Sequence, residues 1–298
     1  MLFRSPNPAF TITYTGFRNG ETSAVIDLLA TATSSAVATT GVGTYPIVPS
    51  GGSDNNYVIT YANGTLTITQ ATLTVTADNQ TRAYGDVNPT LTVSYSGFKN
   101  SETSAVLTTL PTATTVAINT SIVGTYPIVP SGGVSGNYAF TYVNGTLTVT
   151  KAVLTATANN QTKVYGDANP ALTIAYTGFK NGETAAVILT PPTATTIATL
   201  TSSVGTYPIT LAGGLNGNYS FTLVDGTLTV TQATIVATAD NKTRVYGDPN
   251  PAFTITYTGF RNGETSAVID LLATATSSAV ATTGVGTYPI VQIGRAHV

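Results

Sequence analysis

Histidine, cysteine and clustered carboxylates are the side chains that most often move protons or hold metals, and this chain has few of them. His297 is the only histidine and Met1 the only methionine, while cysteine and tryptophan are absent. What remains is a thin set of acids. Between residues 71 and 151 they are Asp78, Asp86 and Glu102. Calcium asks for roughly six to eight oxygens, usually with several carboxylates close together. No Asp-x-Asp-x-Asp-Gly run is present, and 81 residues after Asp78 the chain carries Asn159. Lys99 and Glu102 recur as Lys180 and Glu183, then Arg261 and Glu264; pairs at this spacing read as solvated surface features. The sequence therefore nominates no catalytic, cofactor-binding or metal-binding residue, and no enzyme activity is expected.

The elements that would have to position any site come from a long repeat. Tyr84-Gly85-Asp86, Tyr165-Gly166-Asp167 and Tyr246-Gly247-Asp248 are spaced by 81, and Asn-Pro keeps the same step at Asn7, Asn88, Asn169 and Asn250. Solenoid coils usually repeat every ~20–50 residues. A longer period indicates small tandem domains, here 6–70 (truncated), 71–151, 152–232 and 233–291 (truncated). Pro6–Val48 is identical to Pro249–Val291. Outside those copies the repeat breaks down: Phe3-Arg4-Ser5 stands where Tyr-Gly-Asp belongs, and Gln292 to Val298 continues no repeat. Both tails back-translate to the two orientations of a sequencing adapter, so 1–5 and 292–298 are expected to be foreign.

In 71–151, Thr72-Leu73-Thr74-Val75-Thr76-Ala77 alternates apolar and hydroxyl residues, the pattern of a half-buried strand. Asp78-Asn79-Gln80 breaks it, and Leu91–Tyr95, Pro111–Val116 and Gly124–Val129 form further strands. One or two helical turns are expected over 101–107, with Asn100 as N-cap. Asn144-Gly145 between Tyr138–Tyr142 and Leu147–Thr150 reads as a hairpin turn, and Asp225-Gly226 repeats it. The Tyr-Gly-Asp-x-Asn-Pro segment has the residue types that turns demand. The tyrosines are expected to pack in a core short of other aromatics. Between domains, Gln70-Ala71, Lys151-Ala152 and Gln232-Ala233 join strand to strand with no Gly, Pro or Ser linker. Such short junctions leave little freedom to swing.

A net charge of −2 with 8% charged residues offers no basic patch for nucleic acid, and no apolar run approaches a membrane span. A surface of Thr, Asn, Gly and Tyr suits an extracellular location.

Five motifs occur in order in 71–151: Tyr84–Asp86, Gly97–Thr103, Val123–Ile128, Asn137-Tyr138 and Asn144–Thr150. The set resembles the MBG domain of the YGX type, and the resemblance extends over residues 6–291. It implies a mostly-β extracellular repeat of large bacterial surface or adhesin-like proteins, with no catalytic set to transfer.

The expected fold is thus mostly β. It is a tandem array of small β-grasp-like domains forming an elongated rod, each with five or six strands and one short helix. The alternative is immunoglobulin-like β-sandwich repeats, which would turn 101–107 into loop and divide the strands between two sheets. The expected role is a structural stalk or spacer on a bacterial surface or in a secreted protein, each repeat partnered by its neighbours. The alternative is a multivalent module of weak sites for a host or matrix glycan or protein. A repeated site should keep its polar exposed residues, but between 71–151 and 152–232 Val129-Pro130-Ser131 becomes Thr210-Leu211-Ala212 and Tyr142 becomes Leu223, while the constant positions are mostly glycines, turn residues and alternating apolars, which favours scaffold over site.

Overall fold

The structure, a computed structural model, describes residues 6–293. The chain divides into two compact units, 1–152 and 153–298, each holding two repeats. No helix among the described residues is long and apolar enough to cross a membrane.

The repeat 71–151 contains seven strands: β1 (Ala71–Ala77), β2 (Gln80–Ala83), β3 (Val93–Ser96), β4 (Thr112–Thr115), β5 (Gly124–Ser131), β6 (Tyr138–Val143) and β7 (Gly145–Thr150). They form two sheets, one of order β3–β1–β6 and one of order β2–β7–β5–β4. In the first sheet β1 runs antiparallel to β3 and parallel to β6, with Ala71 opposite Tyr138. In the second, β7 runs parallel to β2 and antiparallel to β5, with Leu147 opposite both Gln80 and Tyr126.

The alternation read from the sequence is what lets two sheets share a core. Ala77 of β1 packs with Ile128 of β5 and Leu147 of β7, and Leu91, Ala113 and Tyr126 close the cluster. The threonines between them face outward, where a β-branched hydroxyl residue suits a strand. Repeat 152–232 builds the same core from Ala156, Ala158, Ile209 and Leu228.

The mostly-β array is as expected, but three details are corrected. Seven strands replace five or six, and they divide between two sheets, as the sandwich alternative requires. The short helix does not form. Asn100 and Ser101 both take positive φ (50° and 61°), a left-handed turn rather than an N-cap. The chain then makes a single 3-10 turn, Ser104–Val106, capped by the Thr103 side chain and burying none of its residues. Without a buried face, nothing stabilises further helical turns.

The third correction concerns Asn144-Gly145, which is not a hairpin. β6 pairs in one sheet and β7 in the other, so the chain changes sheets here. Gly145 crosses so close to β1 that a Cβ would lie 2.3 Å from the carbonyl oxygen of Ala77. Glycine is required by close approach rather than by turn type. Gln80, read as part of the interruption Asp78-Asn79-Gln80, instead opens the strand β2, parallel to β7.

Residues 1–5 and 294–298 of the expected foreign tails lie outside the described residues. Gln292 and Ile293 are described, and they extend the strand Ile290–Ile293 that pairs with Thr274–Ser277.

Candidate functional site: the seam between repeats

Each Tyr-Gly-Asp turn is held from beneath by a cation on the segment that precedes it. Lys163, only 5% exposed, donates through Nζ to the carbonyl oxygens of Asp167 (3.0 Å) and Thr199 (2.5 Å). Arg82 does the same work one repeat earlier, reaching Ala83 O (3.1 Å), Ile118 O and the Asn88 side chain. The Asn-Pro asparagine closes the other side. Asn88, Asn169 and Asn250 each donate to a loop carbonyl, of Ala117, Ala198 and Ala279, at 2.6–2.7 Å. Desolvated polar groups are costly unless paired, so these side chains explain the turn without a ligand.

The loop Gly97–Thr103 is gathered around the tyrosine of the Asn-Tyr motif. The buried Tyr138 ring meets Phe98 edge-on at 5.4 Å, and its hydroxyl accepts from Lys99 N (3.0 Å) and donates to Glu102 Oε2 (2.5 Å). Tyr219, Phe179, Lys180 and Glu183 repeat the arrangement. Glu102 therefore serves a core tyrosine, a role that its spacing from Lys99 does not suggest.

The same loop also faces the preceding repeat. Within 153–298, the turn of repeat 152–232 meets the loop of repeat 233–291. Arg261 Nη1 lies 3.0 Å from Asp167 Oδ1, and the Tyr165 hydroxyl donates to Glu264 Oε1. That bond pushes the Tyr165 phenol above its ordinary value of 10.0, because it stabilises the protonated hydroxyl. Gly166 packs on the stem of Arg261, where a Cβ would come within 2.3 Å of the arginine Cβ. Ser203, Val204, Gln232 and Ile235 border the contact and leave beside it a groove of about 580 Å³.

Within 1–152, the seam between 6–70 and 71–151 shows other contacts. Leu66 and Ile68 of the strand Gly64–Ile68 join Ala71, Leu73 and Tyr138 in one buried cluster. Two residues, Thr69 and Gln70, separate the strands. Gln70 Nε2 donates to Ser135 O and Gly136 O, both at 3.2 Å, and Val42 N donates to Asn137 Oδ1 at 3.0 Å. Tyr-Gly-Asp, Gly-Phe-Lys/Arg-Asn-x-Glu, Val-Gly and Asn-Tyr thus all contribute to repeat-to-repeat contacts. A family model for the MBG domain (YGX type) matches residues 1–67, 73–148, 154–229 and 235–297.

The chain belongs to the MBG domain (YGX type) family.

No curated protein matches it. The acid that ends the first strand of the MBG repeat holds a hydroxyl. Asp78 Oδ2 accepts from Thr92 (2.6 Å), and at the equivalent position Asn159 donates to Thr173 (2.9 Å), so an amide serves as well as a carboxylate. Among the described residues no three acids or histidines gather as a metal cluster would need. The Val-Gly-Thr-Tyr tyrosine of each MBG repeat is tied to its own fold: Tyr45, Tyr126, Tyr207 and Tyr288 donate to the carbonyl four residues earlier at 2.9–3.0 Å. Phe140 and Tyr142 stack in parallel at 6.1 Å, but Leu223 replaces the tyrosine in the next MBG repeat.

Sequence reasoning found the motifs and missed their joint use. The available signal was the phase: Asp167 and Arg261, of opposite sign, are 94 residues apart, one period plus 13.

Proposed function

We propose that these MBG repeats form a stalk or spacer in a large bacterial cell-surface or secreted protein of the adhesin kind, setting a tip at a distance. The observation that carries this reading is the Tyr165–Glu264 and Arg261–Asp167 contact, made beside the four-residue junction 232–235. A ball-and-chain array needs no contact between domains, whereas a rod needs some contact at each seam, of this kind or of the Gln70 and Val42 kind, to fix the angle between domains. In this reading repeat number sets reach and the seam sets stiffness. The repeats carry no reaction of their own, since their acids and tyrosines are engaged in holding the fold together. Neighbouring repeats are the partners, and the location is extracellular.

Small-angle X-ray scattering on the whole chain, extrapolated to zero concentration, tests the stalk. A narrow set of extended shapes is expected. A compact particle, or a broad distribution of dimensions, would overturn the reading in favour of a flexible multivalent binder.

A further inference from the structure

Asn262-Gly263 stands at the tip of the loop that makes the seam, between the two residues that carry it. Arg261 pairs with Asp167, and Glu264 accepts from Tyr165. The turn between them is left-handed, with φ of 53° at Asn262 and 77° at Gly263, and Glu264 N donates to Arg261 O at 2.9 Å. Both residues are exposed, and a Cβ on Gly263 would meet nothing within 4 Å. Among the described residues no backbone hydrogen bond uses the Gly263 N–H. The Asn262 side chain, by contrast, is engaged. It hydrogen-bonds the Tyr165 hydroxyl in the sense that favours the phenolate, which is that of an amide donor.

Asparagine is a thermolabile residue, and a following glycine leaves its side chain open to the next backbone nitrogen. The Gly263 nitrogen bonds to Asn262 Cγ, the Cγ–Nδ2 bond breaks, and ammonia leaves with the proton that Gly263 gives up. Water then opens the cyclic imide at either carbonyl, leaving aspartate or, with one extra backbone carbon, isoaspartate. The new carboxylate accepts hydrogen bonds and cannot donate. It takes the amide donor from Tyr165 and sets a second negative charge beside Glu264. The isoaspartate form also lengthens the backbone between Arg261 and Glu264.

We infer that Asn262 is a site of spontaneous deamidation, and that its conversion loosens the seam between repeats 152–232 and 233–291. The chain holds its own comparisons. Asn144-Gly145 is the same dipeptide, but Gly145 is buried, opposite Ile128 in the ladder and tight against the Ala77 carbonyl. Its backbone moves only when the repeat opens locally. Asn100-Ser101 makes the turn of Asn262-Gly263 with a serine: φ is 50° and 61°, and Glu102 N donates to Lys99 O at 3.0 Å. Serine therefore fits the place of Gly263, while its Cβ obstructs attack on the asparagine. The inference concerns the seam alone and holds whether or not the array is a stalk.

Ageing the full chain at mildly alkaline pH and body temperature, with peptide mapping by mass spectrometry, tests it. Asn262 should convert roughly tenfold or more faster than Asn144, to a mixture of aspartate and isoaspartate. Gly263→Ser should slow the conversion by roughly fivefold or more, with circular dichroism that of the parent. In chains spin-labelled at Thr195 and Thr274, the distance distribution should broaden in step with conversion in the parent and hold in Gly263→Ser. Asn262→Asp should broaden it before any ageing. An Asn262 that converts no faster than Asn144 overturns the inference. So does full conversion with an unchanged distribution, or equal broadening in Gly263→Ser.

Discussion

Gly226 passes so close to Ala158 that a Cβ on it would lie 2.5 Å from the alanine carbonyl oxygen. The approach joins the two sheets of repeat 152–232, since Gly226 opens the last strand of one sheet and Ala158 ends the central strand of the other. Gly226→Ala must therefore push the sheets apart. It should destabilise this repeat by about 1–3 kcal/mol, with a fall in melting temperature of roughly 4–8 °C per kcal/mol for a domain of this size. Calorimetry of the full chain should show the transition of this unit displaced. Gly217→Ala makes the control, because like Gly226 it lacks a positive φ but meets nothing within 4 Å.

Lys163→Met keeps the buried stem and removes the donor. The carbonyls of Asp167 and Thr199 then lose their partner inside the repeat, at a cost of about 1–3 kcal/mol. Lys163→Arg should retain most of the stability, because Arg82 fills the same place in the preceding repeat. Urea denaturation of the three proteins distinguishes loss of a donor from loss of packing.

Arg261→Glu opposes two carboxylates at the seam and should widen the distance distribution between spin labels at Thr195 and Thr274. The Arg261–Asp167 pair is nearly half exposed, at 45% and 44%, so its contribution is about 0–1 kcal/mol and declines with salt. Melting temperature should hardly move. An unchanged distribution would remove the seam's claim to set the inter-repeat angle.

Tyr165 and Asp240 give the seam and the fold opposite pH dependences. The hydrogen bond to Glu264 raises the Tyr165 pKa by favouring the neutral phenol. Its stabilisation is complete below the ordinary value of 10.0 and is lost as pH rises through the raised value. Phenolate absorbance of the parent minus that of Tyr165→Phe should show this late titration, and Glu264→Gln should bring it earlier. Asp240 moves the other way. Hydroxyls of Thr254 and then Thr256 favour its anion, so its contribution is present above 3.8 and is lost as pH falls through the depressed value. Thr254→Val should return the Asp240 titration, monitored by NMR, toward 3.8.

Period and alternation were enough to read the architecture from the chain itself. The 81-residue step divides it into repeats, and Leu73-Thr74-Val75 marks a strand with one wet and one dry face, because side-chain direction along a strand is a local property. Partnership is not local. Nothing in Tyr138–Thr150 says that its two halves enter different sheets, since an Asn-Gly turn and a sheet crossing demand the same small, permissive residues. Nothing in the residues around Lys163 says that the carbonyls of Asp167 and Thr199 close over it. Glu102 and Lys99 look like a pair on one surface until Tyr138, 36 residues beyond the glutamate, takes its carboxylate. The sequence by itself determined the repeats and most of the strands, set by short-range stereochemistry and hydrophobic patterning. Only the tertiary structure decided which strands share a sheet, and that Tyr165-Gly166-Asp167 is shaped to meet Arg261 and Glu264, because those contacts depend on distances that the order of residues does not encode.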